Sequence, residues 1–181
     1  MYKKHKQHRL YGYDYSSNGY YFVTIVTNGR IHYFGKIVNH EMHLSDIGRL
    51  VQKNIKLFHR LKNGEPDSAN PYLQNESLLI MITEHVIMPN HIHMIVEILN
   101  KNTLSQNKAV TGLSPLTKGS LSSFINHFKG KIKRQCNENG YEFNWQSRFH
   151  DRIIRNNEEL NRIIIYIQNN IINWKVDKEN I

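Results

Sequence analysis

The sequence predicts an α+β domain in which helices cover one face of an antiparallel sheet. Segments of strand and helix character follow one another in the order β, ββ, α, ββ, α, β, α. Two long apolar runs between residues 77 and 99 are separated only by Met88-Pro89-Asn90, a spacing that favours antiparallel neighbours joined by a tight turn. At 181 residues the chain has room for one sizeable core rather than two.

The first half of the chain supplies three strands and a helix. The run "GYYFVTIVTN" (19–28) is rich in β-branched and aromatic residues, which predicts a central strand. Two short strands around Asn39-His40 predict a hairpin. Ser45 and Asp46 then open a helix, since the apolar residues that follow recur with a 3.6-residue period: Ile47, Leu50, Val51, Ile55, Leu57 and Phe58. A loop rich in Gly, Pro and Asn, "KNGEPDSANP", ends this half.

The second half adds the two antiparallel strands, a polar segment, two helices and a short strand. The segment about 99–118 lacks large apolar residues, which indicates a flexible tether or a functional loop. An amphipathic basic helix follows within "SLSSFINHFKGKIKRQCNENG", and a short strand covers 149–154. The last helix is "NNEELNRIIIYIQNNIINW", capped by Asn156 or Asn157.

The organisation expected from these elements is a basic arm at 1–18, one domain at 19–176 and a short tail at 177–181. Lys and Arg number 24 against 15 Asp and Glu, which gives a formal net charge of +9. A charge of this sign and size favours a polyanionic partner, and nucleic acid is the leading one.

Several classes of protein are disfavoured by composition. No apolar stretch approaches the ~20 residues of a membrane-spanning helix, and no basic amphipathic anchor begins the chain, so we expect no membrane partner. The first residues lack the apolar core of a signal peptide, and we therefore expect a cytoplasmic protein. The single cysteine, Cys136, excludes an internal disulfide and a cysteine zinc site.

The stretch "MPNHIHMIV" (88–96) places two histidines in an otherwise apolar strand. Side chains alternate along a strand, so His91 and His93 share one face with Ile95 and Glu97. The other face is fully apolar and must be the core side, which leaves the histidines on an open face. Two imidazoles on one rigid strand suit a metal ion. An isolated pair of this kind is nevertheless more often two ordinary half-exposed histidines.

The last helix carries a polar pair that would complete such a site. At 100° per residue, Tyr166 and Asn170 share one flank of the helix. They lie beside an apolar stripe formed by Leu160, Ile164, Ile167, Ile171 and Trp174. Taken alone, the pair is better explained as a boundary tyrosine and a solvated asparagine.

Taken together, these blocks resemble the single-tyrosine HUH transposases, and especially the REP-associated tyrosine transposases. "HVIMPNHIHMIV" is similar to the strand-turn-strand in which a histidine, a hydrophobic residue and a histidine form the family's metal motif. "WQSRFHDRIIRN" (145–156) resembles the block that follows the family's basic helix, and "YIQNN" (166–170) resembles its catalytic helix. "YYFVTIVT" fits the opening strand. The match spans about 19–176 with all four blocks in order.

The resemblance implies both a fold and an activity. The fold would be a ferredoxin-like antiparallel sheet with helices on one face, of the HUH endonuclease/transposase type. The activity would be cleavage and rejoining of single-stranded DNA near hairpins through a 5′-phosphotyrosine. Tyr166 would be the nucleophile. His91, His93 and Asn170 would hold a divalent cation, Mg²⁺ or Mn²⁺. Members of the family often act as homodimers, so we expect a homodimer.

The DNA contacts are expected on the basic helix and shortly after it, at Lys129, Lys131, Lys133, Arg134 and Arg148. His85 lies near the site in sequence, and we interpret it as packing or as support for the metal site. Where the family usually has proline after its "YIxxN" pattern this chain has Ile171, which predicts that the last helix runs on.

Other functions remain open at this stage. A histidine-triad nucleotide hydrolase needs a third histidine where this chain has Ile95, so that class lacks its nucleophile. A noncatalytic ferredoxin-like module that binds nucleic acid would explain the charge, but such modules stack bases on exposed strand aromatics. A domesticated relative that processes repeated palindromes would use the same chemistry as a mobile transposase.

Overall fold

The computed structural model describes residues 10, 12–59, 78–100, 119–177 and 179. Its strands are β1 (Gly19–Val26), β2 (Gly35–Val38), β3 (Glu41–Leu44), β4 (Leu78–Ile87), β5 (His91–Asn100) and β6 (His150–Ile154). Its helices are α1 (Asp46–Lys56), α2 (Leu121–Glu138) and α3 (Asn157–Asn169), with short 3-10 turns at Asn28–Arg30 and Trp174–Val176.

Four of the strands form one antiparallel sheet in the order β4-β5-β1-β6. This order is that of a ferredoxin-like sheet, because each crossover through α1 or α2 skips one strand. The predicted α+β class with an antiparallel sheet is confirmed. The predicted hairpin is also found, as β2 paired with β3. Its two turn residues, Asn39 and His40, have φ of 51° and 63°, the left-handed values that a two-residue type I′ turn requires.

The main core lies between the sheet and two helices, α1 and α2. Strand β5 contributes the four residues expected on its apolar face, Ile92, Met94, Val96 and Ile98. Facing helix residues include Val51 and Ile55 from α1 and Phe124 and Phe128 from α2, all of them buried. We call this side of the sheet the core face, and the opposite side, to which His91 and His93 belong, the histidine face.

The third helix departs from the predicted one-sided arrangement, because α3 packs on the histidine face. Ile167 of α3 is buried against Ile95 of β5 and Ile154 of β6. The apolar stripe predicted along α3 thus packs against the sheet and forms a second, smaller core on this face. The histidine face is therefore covered, and only α1 and α2 follow the expectation that helices share one face.

The predicted extension of the last helix through Trp174 is wrong. Helix α3 ends at Asn169, and the chain then turns before the 3-10 turn at Trp174–Val176. The turn brings the Trp174 ring against His32 and His91, at centroid distances of 5.6 and 6.0 Å. A straight helix would not bring this aromatic side chain back to the sheet.

Some expectations fall outside the described residues. The loop after α1, most of the basic arm and residues 101–118 of the expected tether lie there, whereas Leu99 and Asn100 belong to β5. Among the helices of the described ranges, none is long and apolar enough to cross a membrane. The single domain at 19–176 stays a prediction.

His85 lies on the core face, away from the histidine pair. It pairs with Met94 across β4 and β5, and its ring lies 5.4 Å from that of His59. Packing is therefore its role, and the alternative of support for the metal site is wrong. Burial lowers the pKa of His85 to about 4, and the positive charges of His59 and Lys56 add to this effect.

This lowered pKa predicts a loss of stability in acid. The unfolded chain takes up the His85 proton near pH 6.5 and the folded chain only near 4, so the free energy of unfolding falls as the pH falls through this window. Between pH 7 and pH 4.5 the wild type should lose roughly 2.5 kcal/mol more than His85→Leu. Urea unfolding in EDTA at both pH values measures the difference, and equal losses in the two proteins would contradict it.

Candidate metal and tyrosine site

The register of the sheet places the two histidines side by side. His91 lies opposite Val26 and His93 opposite Thr24 on β1. Being two residues apart on one strand, the two rings point to the same side. Their Nε2 atoms are 3.0 Å apart. Two nitrogens this close share one proton between them or share a cation.

Sequence reasoning expected these histidines on an open face, and that expectation is wrong. His91 is 0% exposed and His93 is 4% exposed. The Phe22 ring stacks on His93 at a centroid distance of 5.2 Å, and Trp174 covers His91. The cause is α3 and the C-terminal segment, by which we mean residues 171–177 and 179, which together close the face.

Asn90 determines which nitrogen of His91 carries a proton. The Asn90 amide nitrogen donates to the backbone carbonyls of Glu179, at 2.7 Å, and Arg30, at 3.2 Å. Its side-chain oxygen therefore faces His91 Nδ1, 2.8 Å away, and must accept a hydrogen bond from Nδ1–H. The lone pair of His91 is then on Nε2, which points at His93.

His93 has a more adaptable partner. Its Nδ1 lies 2.8 Å from the Thr24 hydroxyl, which can donate or accept. His93 can thus place its proton on Nε2, donating to His91, or on Nδ1, donating to Thr24. The second state directs two Nε2 lone pairs to the same point, which is the arrangement that a metal ion needs.

A carboxylate completes this arrangement. Asp177 Oδ2 lies 4.0 Å from His91 Nε2, and the Asp177 side chain is 4% exposed. One ligand atom from each of His91, His93 and Asp177 lies within 4.8 Å of the other two. Burial lowers the pKa of His91 to about 4, although the charges of Asp177 and Glu179 act in the opposite direction. Two neutral imidazoles and a carboxylate suit a divalent cation.

Sequence reasoning did not find Asp177. The residue lies in the segment that was expected to be a tail, eight residues beyond the last residue of α3. Its position depends on contacts between residues that are far apart in sequence. Glu179 pairs with Arg30 at 3.0 Å, and its backbone carbonyl accepts from Asn90. The sequence of the tail alone contains no pattern that would predict these contacts.

Tyr166 meets the histidine pair within the same chain. Its phenol oxygen lies 3.2 Å from His93 Nε2, while 40% of the residue remains exposed. Burial raises the pKa of the Tyr166 phenol, and the negative charge of Asp177 raises it further. The phenol is therefore protonated at neutral pH, and a cation beside it would favour its ionised form.

Asn170 is buried at the end of α3, with 2% exposure. Its hydrogen bond to Tyr166 partly opposes the rise in the phenol pKa. Within the described ranges, Asn170 Oδ1 has no hydrogen-bond partner. Asn170 thus contacts Tyr166, whose phenol in turn contacts His93, and a buried amide oxygen without a partner near this phenol fits a cation site. Asn170 as a metal ligand stays a prediction, and Asp177 offers an anionic alternative.

Helix α2, which carries four of the five residues predicted to contact DNA, packs on the core face, away from the histidines. Two of them hold the loop that follows α2: Lys129 Nζ donates to the carbonyl of Gln146 at 2.7 Å, and Lys133 Nζ donates to that of Phe143 at 2.6 Å. Sequence reasoning missed this internal role.

The remaining residues of the predicted DNA set are less enclosed. Arg134 and Arg148 are exposed, and Lys131 is half-buried. Contact of the five residues with DNA stays a prediction.

Comparison with known proteins identifies the fold and one relative. The solved structure of a REP-associated tyrosine transposase bound to a REP hairpin superimposes with a TM-score of 0.54 and 19% identity, covering 94% of this chain and 74% of that one. This likeness shows that the two share a fold. No family model matches the sequence. An uncharacterised protein of Haemophilus influenzae is 32% identical over 179 residues, covering 94% of this chain and 89% of the relative, and this chain belongs to its family.

The tautomer assignment predicts that Asn90 controls metal affinity. His91→Ala should abolish Mn²⁺ binding, and Asn90→Ala should weaken it about 10- to 100-fold because Nδ1 loses its acceptor. Asp177→Asn should weaken binding by removing the negative ligand. Isothermal titration calorimetry with Mn²⁺ measures these affinities, and Asn126→Ala on the exposed side of α2 is the matched control. Wild-type affinity in Asn90→Ala would refute the assignment.

Proposed function

We propose that this protein is a metal-dependent DNA strand transferase that cleaves and rejoins single-stranded DNA near hairpins, with Tyr166 as the nucleophile. One observation carries the proposal: the Tyr166 phenol oxygen lies 3.2 Å from Nε2 of His93, whose Nε2 is in turn 3.0 Å from that of His91. The proposed nucleophile and the proposed metal ligands thus lie in contact within one chain.

The donor set supports a cation of the Mg²⁺ or Mn²⁺ type. His91 and His93 would hold it, with Asp177 or Asn170 as the oxygen ligand. When bound, the cation supplies charge neutralisation at a phosphate oxygen and makes the phenol easier to ionise. The chain's own contribution is to orient the two imidazoles, through the hydrogen bonds that His91 makes to Asn90 and His93 makes to Thr24.

The reaction proposed is a transesterification at phosphorus. Tyr166 Oη forms a bond to the phosphorus of the scissile phosphodiester, and the bond from phosphorus to the 3′ oxygen breaks. The phenol loses one proton and the departing 3′ oxygen gains one, so the step is balanced. The DNA is left with a free 3′-OH and a 5′ end linked to Tyr166. The energy of the ester is retained, so a second 3′-OH can reverse the step and be joined.

A noncatalytic nucleic-acid module fits the site less well. Such modules of ferredoxin-like fold bind bases on an open sheet. Here α3 covers the histidine face, and Tyr166 is directed at His93 rather than displayed on a strand. A domesticated enzyme and a mobile transposase would share this site, and both fall within the proposal.

Hairpin DNA is the proposed substrate for two reasons. The chain has a net charge of +9, and its structural neighbour was solved with a REP hairpin bound. Lys129, Lys131, Lys133, Arg134 and Arg148 remain proposed DNA contacts. A homodimer also remains proposed, although the Tyr166 phenol contacts His93 of its own chain.

The proposal predicts a covalent protein-DNA adduct. Purified protein incubated with Mn²⁺ and a DNA hairpin carrying a labelled single-stranded flank should form an adduct that survives denaturing electrophoresis. Tyr166→Phe should abolish it because the attacking oxygen is gone. His93→Ala should lower its rate of formation by at least about 100-fold, since both a ligand and the neighbour of the phenol are lost.

The matched control is Tyr141→Phe, because Tyr141 is half-buried beside α2 on the core face. Its adduct should form at the wild-type rate. Peptide mapping of the adduct should identify Tyr166 as the modified residue. An undiminished adduct in Tyr166→Phe would show that another side chain is the nucleophile.

A further inference from the structure

The histidine face continues beyond the metal site onto β6, the edge strand of the sheet. His93 pairs with Thr24, and Thr24 pairs with His150 of β6. Phe22, which stacks on His93, pairs with Arg152. Residues opposite one another in antiparallel strands point to the same side. Arg152 is therefore on the side of the sheet where the two imidazoles lie, one strand beyond Phe22.

Helix α3 and the chain just before it add two more arginines to the same region. Arg162 precedes Tyr166 by four residues, so the two side chains lie on one flank of the helix. Arg162 is exposed, as is Arg155 just before the helix. All three arginines, Arg152, Arg155 and Arg162, line one cleft of about 570 Å³ at the β6 edge, together with Tyr15.

The acidic residues of this cleft do not cancel its charge. Glu159 is 7% exposed, and its carboxylate accepts hydrogen bonds from the Arg155 backbone N–H and pairs with Arg152. Asp151 also lines the cleft, from the core-face side of β6, since it pairs with Val23. The three arginines still outnumber the two carboxylates. Arg152 remains 69% exposed despite its ion pair. Glu159 therefore fixes the position of Arg152 while leaving its guanidinium accessible.

We propose that this arginine cleft, lined by Arg152, Arg155 and Arg162, binds the phosphate backbone of the single-stranded part of the substrate next to the scissile phosphate. The inference rests on the proposed function and adds the path of the strand. Guanidinium groups bind phosphate oxygens in a fork, and three of them along one edge match a chain of phosphates rather than a single anion. The main DNA contacts would then lie on the histidine side of the sheet, not on α2.

The test measures binding, not cleavage. Arg155→Ala combined with Arg162→Ala leaves the Arg152–Glu159 pair intact, so the fold should persist. Fluorescence anisotropy measures the affinity of each protein for a fluorescein-labelled hairpin with a single-stranded flank, in the absence of metal. The double variant should bind about tenfold more weakly at moderate salt, and the slope of log K against log salt should fall by about 1 to 2, as expected for two lost phosphate contacts.

Two further variants make the result decisive. Arg49→Ala removes an exposed arginine from α1, paired with Asp46, and should bind DNA as the wild type does. Arg134→Ala tests the surface predicted from sequence. An unchanged affinity and salt slope in the double variant, or a larger loss in Arg134→Ala, would overturn the arginine cleft.

The outcome is separable from that of the proposed function. A covalent adduct at Tyr166 together with wild-type DNA binding by the double variant would leave the proposed function standing and refute the cleft. Failure of the wild type to bind the probe would refute both. A hairpin that lacks the single-stranded flank should bind the wild type and the double variant with equal affinity, because the cleft is proposed to contact only the single strand.

Discussion

The candidate site depends on the hydrogen bonds of Asn90. The side-chain oxygen of this buried amide accepts a hydrogen bond from His91 Nδ1–H, and its nitrogen donates to two backbone carbonyls, one after β1 and one in the C-terminal segment. A single side chain thus fixes the tautomer of a histidine and attaches the segment that carries Asp177. Asn90 lies in the tight turn between β4 and β5. Backbone hydrogen bonds hold this turn in place, and one of them runs from the Thr27 N–H to the Asn90 carbonyl at 2.8 Å.

Covering the histidine face changes the chemistry available to the pair. Burial removes water from the imidazoles and keeps His91 neutral, which is the form that binds metals. The same enclosure makes the Tyr166 phenol harder to ionise. Without a cation, burial therefore prepares the imidazole for metal binding but disfavours the phenolate. A bound cation would remove this conflict, because a positive charge favours both the deprotonated phenol and the neutral imidazoles.

Sequence patterns predicted what local periodicity and alternation determine. The alternation of β5 separated Ile92 and Met94 from His91 and His93, and the structure has the same division. The i, i+4 spacing placed Tyr166 and Asn170 on one flank. Periodicity does not say which side of a sheet a helix packs against, so the position of α3 was missed. The site also uses Asp177 and Glu179, whose positions follow from Arg30 and Asn90, and contacts between residues so distant in sequence leave no local pattern.

The Trp174 ring lies 6.0 Å from that of His91. The chain has two tryptophans, and the other, Trp145, packs against Phe143 in the core of the opposite side. A paramagnetic ion seated between the imidazoles would quench the first indole far more than the second. Trp174 would therefore serve as an optical reporter of metal binding at this site, with Trp145 as its internal reference, and the titration would need no label.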